Sequence, residues 1–265
     1  MTSTPTPRGL GVHAGLEAGL ARELGAHCES LGYHSLWSND EPAASGLETL
    51  AQLAAGAPRI GLGVGVLPLD RHDPAQIATE IDRLGIDPAK LWIGIGSGQL
   101  RPQVDLLRRA VAELREILPA ETRIVVAAMR PRLCRLGGAV ADAVLLNWML
   151  PDHAAEAGRR LQEGAADAGR AVPILASYVR VAVGSGSRQR LRDEERRYRT
   201  IDERHRRHFG AMDVRLGSVG VAAPTRPEVQ EQLAPYQAAL DLPIVRVLAN
   251  PDATSLTAVA EAAAP

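Results

Sequence analysis

The chain has 265 residues, of which 46% are hydrophobic and only 3% aromatic, so the sequence predicts a large core of mainly aliphatic side chains. The formal net charge of −1 excludes the strongly basic surface typical of nucleic-acid-binding or polybasic membrane-binding proteins. Cys28 and Cys134 form no CxxC motif, and neither a secretory signal nor a membrane-spanning run is present. We therefore expect a protein of the reducing cytoplasm, without a bound metal.

Strand and helix patterns alternate along the chain. Residues 1–8 predict a disordered tail, and residues 9–265 a single domain. The predicted strands lie in residues 10–15, 34–40, 59–74, 91–99, 122–129, 142–148, 173–183 and 244–249. The predicted helices after them cover residues 15–31, 47–55, 75–84, 102–118, 131–140, 152–168 and, at the end, 254–263.

These units predict the architecture. Strands that alternate with helices pair in parallel, and eight strand-then-helix units in about 250 residues are typical of an α/β (β/α)8 TIM barrel. A doubly wound open sheet is the alternative. The seventh unit is irregular, because a charge-dense helix over residues 192–209 and a second helix over 227–240 precede the eighth strand. The charged helix is either a solvated surface helix or an arginine-rich surface that holds an anionic tail beside the site.

Two predicted strands carry glycine at every second position, in RIGLGVGVLP (residues 59–68) and in GIGSG (residues 94–98). Side chains alternate between the faces of a strand, so each set of glycines shares one face. The sequence does not decide whether that face points to the barrel interior or to the outer helices. The glycines allow either close helix packing or, because the two strands are neighbours, clearance for a flat ligand.

The active site of a (β/α)8 barrel lies at the C-terminal ends of its strands. This rule selects six clusters: His13, residues 38–41, 65–73, 97–101, 129–132 and 147–148. In the fifth cluster, MRPR begins a helix whose free N–H groups, with Arg130 and Arg132, could bind a phosphate. Two solvent-facing arginines at an ordinary helix start are the alternative.

Candidates for proton transfer are less specific. Asp40 and Glu41 could form an acid/base pair, but Glu41-Pro42 also fits a simple turn. His72 could cap the next helix, and His13 could be a buried core histidine. No zinc-type cluster, GxSxG elbow or Walker loop occurs, so metal-dependent, hydrolase and nucleotidase functions have no motif support.

Several segments together carry a family resemblance. GYHSLWSND, RIGLGVGVLPLDRHDPAQIATEIDRLG, LWIGIGSGQ and RPRLCRLGGAVADAVLLNW occur in this order and spacing, and they resemble the bacterial-luciferase-like flavin and deazaflavin oxidoreductases. The resemblance implies a (β/α)8 barrel with a short insertion region, binding coenzyme F420 or FMN at the C-terminal ends of the strands. It also implies a non-prolyl cis peptide bond, here between Gly65 and Val66, against the cofactor ring.

The resemblance also implies roles for individual residues. The ring and its chain would contact Ser38, Asn39, Asp40, Gly65, Val66, Ser97, Gly98, Gln99 and Asn147. The cofactor phosphate would be held by Ala128, Met129, Arg130, Pro131 and Arg132.

The sequence departs from this family in four places. Asp40-Glu41 replaces the Asp-His of many deazaflavin-dependent members, and Gln99 replaces a glutamate of the sugar-phosphate dehydrogenases, which argues against that activity. Met129 and Arg130 replace glycines of the phosphate loop. The insertion after the fourth strand is nearly missing, so we expect an open site, or one covered by a partner subunit in a homodimer.

The leading hypothesis is an F420-dependent oxidoreductase that transfers hydride to or from a small organic substrate. Glu41 is the first candidate for proton transfer, with His72 and His13 in reserve. The alternatives are an FMN-dependent monooxygenase or reductase, a cofactor-binding protein without turnover, and a barrel enzyme that needs no cofactor.

Overall fold

The computed structural model of the chain describes residues 7–265, and no helix in this range is long and apolar enough to cross a membrane. The strands of the described residues are β1 (Gly9–Val12), β2 (Ser35–Ser38), β3 (Gly61–Pro68), β4 (Leu91–Gly96), β5 (Arg123–Ala127), β6 (Ala143–Asn147), β7 (Ile174–Val183), β8 (Val221–Ala223) and β9 (Leu242–Val247). The helices are α1 (Ala18–Ser30), α2 (Gly46–Ala54), α3 (Pro74–Leu84), α4 (Gln103–Ile117), α5 (Pro131–Val140), α6 (Pro151–Asp167), α7 (Ser187–Ile201), α8 (Glu203–Met212), α9 (Arg226–Ala239) and α10 (Ala253–Ala262).

Eight of these strands form a closed parallel barrel. Strands β1 to β7 pair in chain order, β7 pairs with β9, and β9 pairs with β1. The ring has no free edge, which confirms the (β/α)8 barrel and excludes the open sheet. The short β8 was not predicted; it pairs with the C-terminal end of β7 outside the ring. All the barrel strands run in parallel, so their C-terminal ends meet at one face.

The prediction of one long charged helix over residues 192–209 is wrong. Residues 192–209 belong to two helices, α7 and α8, because Asp202 takes an extended conformation and accepts a hydrogen bond from the His205 N–H at 2.8 Å. Asp is a preferred N-cap residue, so it ends one helix and begins the next. In the same segment the carboxylate of Glu195 is fully buried and accepts the N–H groups of Gly217 and Val219, which fastens α7 to the loop before β8.

The predicted tail is too long by at least one residue. Residues 1–6 of that tail lie outside the described part of the chain. Arg8, however, is buried, and its guanidinium donates hydrogen bonds to the carbonyls of Ala263 (2.6 Å) and Ala264 (2.8 Å) after α10. This contact ties the start of β1 to the C-terminal helix.

The glycine faces point into the barrel, where they meet aromatic rings. A Cβ atom at Gly63 would lie less than 3.0 Å from the Trp37 ring, and one at Gly61 would contact Trp92. The ring of Trp37 lies 6.0 Å from that of Trp92 and 6.4 Å from that of Tyr178. The expected clearance for a ligand is therefore occupied at Gly61 and Gly63 by the protein's own side chains.

The core thus has two parts of different composition. The layer between barrel and helices is largely aliphatic, as predicted. The barrel interior instead contains Trp37, Trp92 and Tyr178 among smaller apolar residues. Glycine on β3 gives these rings the space that bulky branched residues fill in most barrels of this type.

Gly63→Ala tests this packing. We expect it to lower the free energy of unfolding by about 1–3 kcal/mol, because the new methyl group overlaps the Trp37 ring in a closely packed interior. The matched control is Gly210→Ala in α8, where no atom lies near the added Cβ. That change should be neutral or stabilise by up to about 1 kcal/mol. Denaturant unfolding measures both, and equal effects would contradict the packing.

Glu195→Ala tests the attachment of α7. The change leaves two N–H groups and the Arg199 guanidinium without their shared acceptor, so we expect a loss of about 2–4 kcal/mol in the free energy of unfolding. The control, Glu203→Ala, removes an exposed carboxylate that pairs with Arg206 and Arg207, and it should cost less than about 1 kcal/mol. A small effect of Glu195→Ala would show that the loop before β8 does not need this anchor.

Candidate functional site

A cavity of about 280 Å³ opens at the C-terminal ends of the barrel strands. Its volume is near the lower limit of ligand pockets, which is about 300 Å³. Residues that end or follow β2, β3, β4, β5, β6, β7 and β9 contribute to its wall, and side chains of α7 and α8 complete it. The cavity therefore lies where the (β/α)8 fold predicts a site.

Many predicted site residues line this cavity: Asn39, Gly65, Val66, Ser97, Gly98, Ala128, Met129, Arg130 and Asn147. Five predicted cofactor contacts do not: Ser38, Asp40, Gln99, Pro131 and Arg132. Arg132 faces a groove between α4, α5 and α6 on the outside of the barrel. Adjacent residues of one predicted cluster thus point in different directions, which the chain order alone does not show.

The peptide bond between Gly65 and Val66 is cis, as predicted. Both residues line the cavity, and a Cβ atom at Gly65 would lie 2.7 Å from the Tyr178 hydroxyl. Gly96, on the neighbouring strand, leaves room for the Val66 side chain, because its own Cβ would come within 3.0 Å of Val66 Cγ2. The last glycines of the two strands therefore shape the cavity wall, unlike Gly63 deeper in the barrel.

Asp40 and His72 form an ion cluster with Arg71, and neither Asp40 nor His72 lines the cavity. The Asp40 carboxylate is 3% exposed and lies 2.6 Å from Arg71 Nη2 and 2.8 Å from His72 Nε2. It also accepts the Gly46 N–H at 3.1 Å. Burial raises the pKa of Asp40, but these hydrogen bonds outweigh it and hold the pKa below its usual value. The cluster joins the loops after β2 and β3, and Asp73, not His72, caps α3.

Glu41 and His13 also lie outside the cavity lining. His13 Nδ1 lies 2.7 Å from Glu41 Oε1, and the Asn39 amide donates to the same oxygen at 3.0 Å. Burial lowers the pKa of His13, the positive charge of Arg246 lowers it further, and Glu41 opposes both. Asn39 lines the cavity, so Glu41 can orient it through this hydrogen bond.

Two buried arginines in the cavity wall escaped sequence reasoning. Arg180 on β7 and Arg246 on β9 are each 3% exposed, and the strand register places them side by side. The Arg180 guanidinium donates to the side-chain oxygen of Asn147, and that of Arg246 to Asn39 at 2.5 Å. Their inward direction could have been predicted, because Tyr178, two residues before Arg180, also faces the interior.

Aromatic rings surround the Arg180 guanidinium. It lies 4.1 Å from the centroid of the Trp148 ring and 5.0 Å from that of Tyr198, at cation–π distance. Burial lowers the pKa of Arg180 to about 10, with a further contribution from the charge of Arg246. Burial also lowers the pKa of Arg246. Both side chains nevertheless stay charged at neutral pH.

Helices α7 and α8 cover the cavity from the same chain. Tyr198, Arg204 and His205 line it, and the Arg204 guanidinium donates to the Gly98 carbonyl at 2.7 Å. Helices of the same chain thus form part of the mouth that the sequence predicts to be open or covered by a partner subunit, and the homodimer stays a prediction. Other arginines of this segment, such as Arg196 and Arg207, pair with exposed carboxylates of their own helix.

His205 has a defined orientation in this wall. Its Nδ1 lies 2.9 Å from Asp202 Oδ1, which leaves Nε2 as the second ring nitrogen for a ligand. Burial of Asp202 raises the pKa of its carboxyl group, but hydrogen bonds from His205 outweigh it and lower the pKa to about 2. Asp202 thus stays ionised, and a His–carboxylate pair stands at the cavity.

The charge of the lining is uniform. Four arginines line the cavity, namely Arg130, Arg180, Arg204 and Arg246, and no carboxylate is among the lining residues in the described part of the chain. No cluster of His, Cys, Asp and Glu suited to a metal occurs in residues 7–265. The cavity can therefore bind an anionic ligand through hydrogen-bond donors.

Comparisons with known proteins agree with this geometry. The family model of luciferase-like monooxygenases matches residues 1–118, whereas no curated protein sequence matches the chain. Similar solved structures include an F420-dependent secondary alcohol dehydrogenase in complex with an F420–acetone adduct, at 15% identity and a TM-score of 0.77, covering 98% of each chain.

Two further structures share the fold. The F420-dependent tetrahydromethanopterin reductase from Methanopyrus kandleri is 14% identical with a TM-score of 0.70, over 97% of this chain and 98% of that one. The oxygenating constituent of 3,6-diketocamphane monooxygenase from Pseudomonas putida, in complex with FMN, is 15% identical with a TM-score of 0.68, over 99% of each chain. Residues 1–118 therefore carry the luciferase-like sequence pattern on a luciferase-like (β/α)8 barrel, and the family resemblance is confirmed.

Proposed function

We propose that the protein is an oxidoreductase that transfers hydride between coenzyme F420 and a small organic substrate. The observation that carries this proposal is the cavity itself, which has an apolar wall and a donor-rich rim at the site end of a luciferase-like barrel. The proposal includes a reducing compartment, in keeping with the two free, buried cysteines.

The apolar wall suits a flat cofactor ring. Gly65 and Val66 form one part of it, and Leu133 and Leu145 lie in the same lining. Flat apolar surfaces with a few polar groups at their margin are typical of cofactor sites. When bound, F420 supplies the ring carbon that accepts or releases hydride. The protein positions the ring and keeps water away from it.

The phosphate of the cofactor fits the start of α5. Met129 and Arg130 line the cavity, Pro131 begins the helix, and no side chain caps its first N–H groups. A helix N-terminus with free N–H groups favours an anion, and Arg130 adds a charge there. The same donors would suit FMN, and one similar structure contains FMN, so FMN-dependent oxygenation is the second candidate.

His205 is our choice for proton transfer, in place of Glu41. It lines the cavity, Asp202 fixes its orientation, and imidazole is the side chain that most often transfers protons in enzymes. If the substrate is an alcohol or a carbonyl compound, hydride transfer at its carbon is accompanied by loss or gain of a proton at its oxygen. Nε2 of His205 would accept or return that proton.

A titration with F420 and FMN, followed by quenching of cofactor fluorescence, tests the cofactor assignment. We expect F420 to bind more tightly, and Arg130→Met to weaken that binding at least about tenfold, because a charge-assisted contact is lost. The matched control is Arg132→Met, two residues away and outside the cavity, which should leave the affinity unchanged. Preferred binding of FMN would support the second candidate, and failure to bind either would refute both.

Turnover with a panel of hydride donors and acceptors then tests the role of His205 in proton transfer. With an active substrate, we expect His205→Gln to lower kcat about 10²–10⁴-fold, because the group that transfers the proton is lost. Glu41→Gln is the comparison and should change kcat much less. An unchanged kcat in His205→Gln would contradict the assignment. Tight F420 binding without reduction by any donor would instead indicate a binding protein without turnover.

A further inference from the structure

We propose that the substrate of this oxidoreductase carries an oxyanion, a carboxylate or a phosphate, and that Arg180 and Arg246 bind it. This inference rests on the proposed function, because it assigns part of the same cavity to the substrate. Several hydrogen-bond donors in this part of the cavity wall have no partner in the described part of the protein.

Three such donors lie together on β7 and β9. Arg180 Nε, Arg246 Nη1 and the Tyr178 hydroxyl are buried and have no hydrogen-bond partner in the described part of the chain. All three residues line the cavity. An unsatisfied buried donor costs about 1–3 kcal/mol, and more when it is charged. Three such donors in one wall indicate that a bound ligand supplies the missing hydrogen-bond acceptors.

The two arginines also repel each other. Arg180 and Arg246 are direct register partners on adjacent parallel strands, whose backbones lie about 4.8 Å apart. No carboxylate of residues 7–265 lies within 4.0 Å of either guanidinium, in contrast to the paired surface arginines of α7 and α8. Buried charges are normally paired directly, whereas the carboxylates that act on these two, Glu194 on both and Glu41 on Arg246, lie beyond ion-pair distance.

The protein holds both guanidinium groups without neutralising them. Asn147 and Asn39 accept one hydrogen bond each, and the Trp148 ring lies against Arg180. Neutral amide oxygens orient a cation but do not cancel its charge. A small oxyanion between the two guanidinium groups would satisfy the free nitrogens and remove the repulsion.

This subsite is distinct from the one assigned to the cofactor phosphate. Arg130 follows β5, whereas Arg180 and Arg246 lie on β7 and β9, across the intervening β6. The cavity thus offers one cationic group on each of two sides of its apolar wall. If α5 holds the cofactor phosphate, the β7–β9 pair is left for the second ligand, the substrate.

Thermal unfolding of the cofactor-free protein tests the subsite, with acetate and inorganic phosphate as anionic probes. Acetamide, a neutral analogue of acetate, is the ligand control, and chloride keeps the ionic strength constant. We expect acetate or phosphate to raise the Tm of the wild type by at least about 2 °C, and acetamide to have no effect. Phosphate can also bind at Arg130 and the start of α5, so its effect on this subsite is measured in Arg130→Met. Which anion then acts distinguishes a carboxylate from a phosphate substrate.

Variants locate the effect. Arg180→Met and Arg246→Met should each abolish the rise in Tm, measured for phosphate in the Arg130→Met background, while the ligand-free Tm stays unchanged or increases because a buried charge is gone. The control is Arg123→Met, which removes another arginine stacked on a tryptophan, 4.7 Å from the Trp92 ring at the opposite end of the barrel. It should keep the full anion effect.

Three results would overturn the inference. The first is a wild-type Tm that neither anion changes. The second is an anion effect that persists in both Arg180→Met and Arg246→Met. The third is a loss of F420 affinity in these variants as large as that in Arg130→Met, which would assign the pair to the cofactor. Failure of the wild type to bind F420, with the anion effect intact, would refute the proposed function and leave an anion site at Arg180 and Arg246.

Discussion

The Trp37 ring lies against the backbone of Gly63 at the centre of the barrel, and the depth of the site depends on this contact. Because the glycine gives no side chain to the interior, Trp37, Trp92 and Tyr178 can close the barrel below its C-terminal face. The cavity therefore ends at Gly65, Leu145 and Tyr178 instead of continuing along the axis. The packing that stabilises the fold is also the floor on which a ligand would rest.

Above this floor, electrostatics act against stability. Arg180 and Arg246 are buried side by side, held by amide oxygens and an aromatic ring but without a direct ion pair in the described residues. Such an arrangement is unfavourable in the free protein and becomes favourable once an anion is bound. Loss of stability at a binding site is a common cost of preorganised function. The barrel can tolerate this loss of stability because the surrounding layers are well packed.

The sequence predicted the barrel well, since hydrophobic alternation and helix-start signals such as Pro131 of α5 are local properties. It also predicted the wall around Gly65–Val66, where the family pattern is strong, and the place of Arg130 after the fifth strand. It missed what depends on three-dimensional neighbours. Asp40 forms ion pairs with Arg71 and His72, and Glu41 with His13. The two inward-facing arginines were not predicted, because charged residues are usually exposed. The break at Asp202 was hidden by a uniform run of charges.

The division of the site between barrel and α7–α8 has a consequence for how such proteins diversify. Residues of the floor are constrained by barrel closure, so most changes there would compromise folding before they altered ligand choice. Tyr198, Arg204 and His205 come instead from an excursion between β7 and β9, whose contacts with the rest of the chain include those of Glu195 and the Arg204–Gly98 hydrogen bond. Selection for new substrates would therefore act most readily on this excursion, while the barrel beneath it is inherited unchanged.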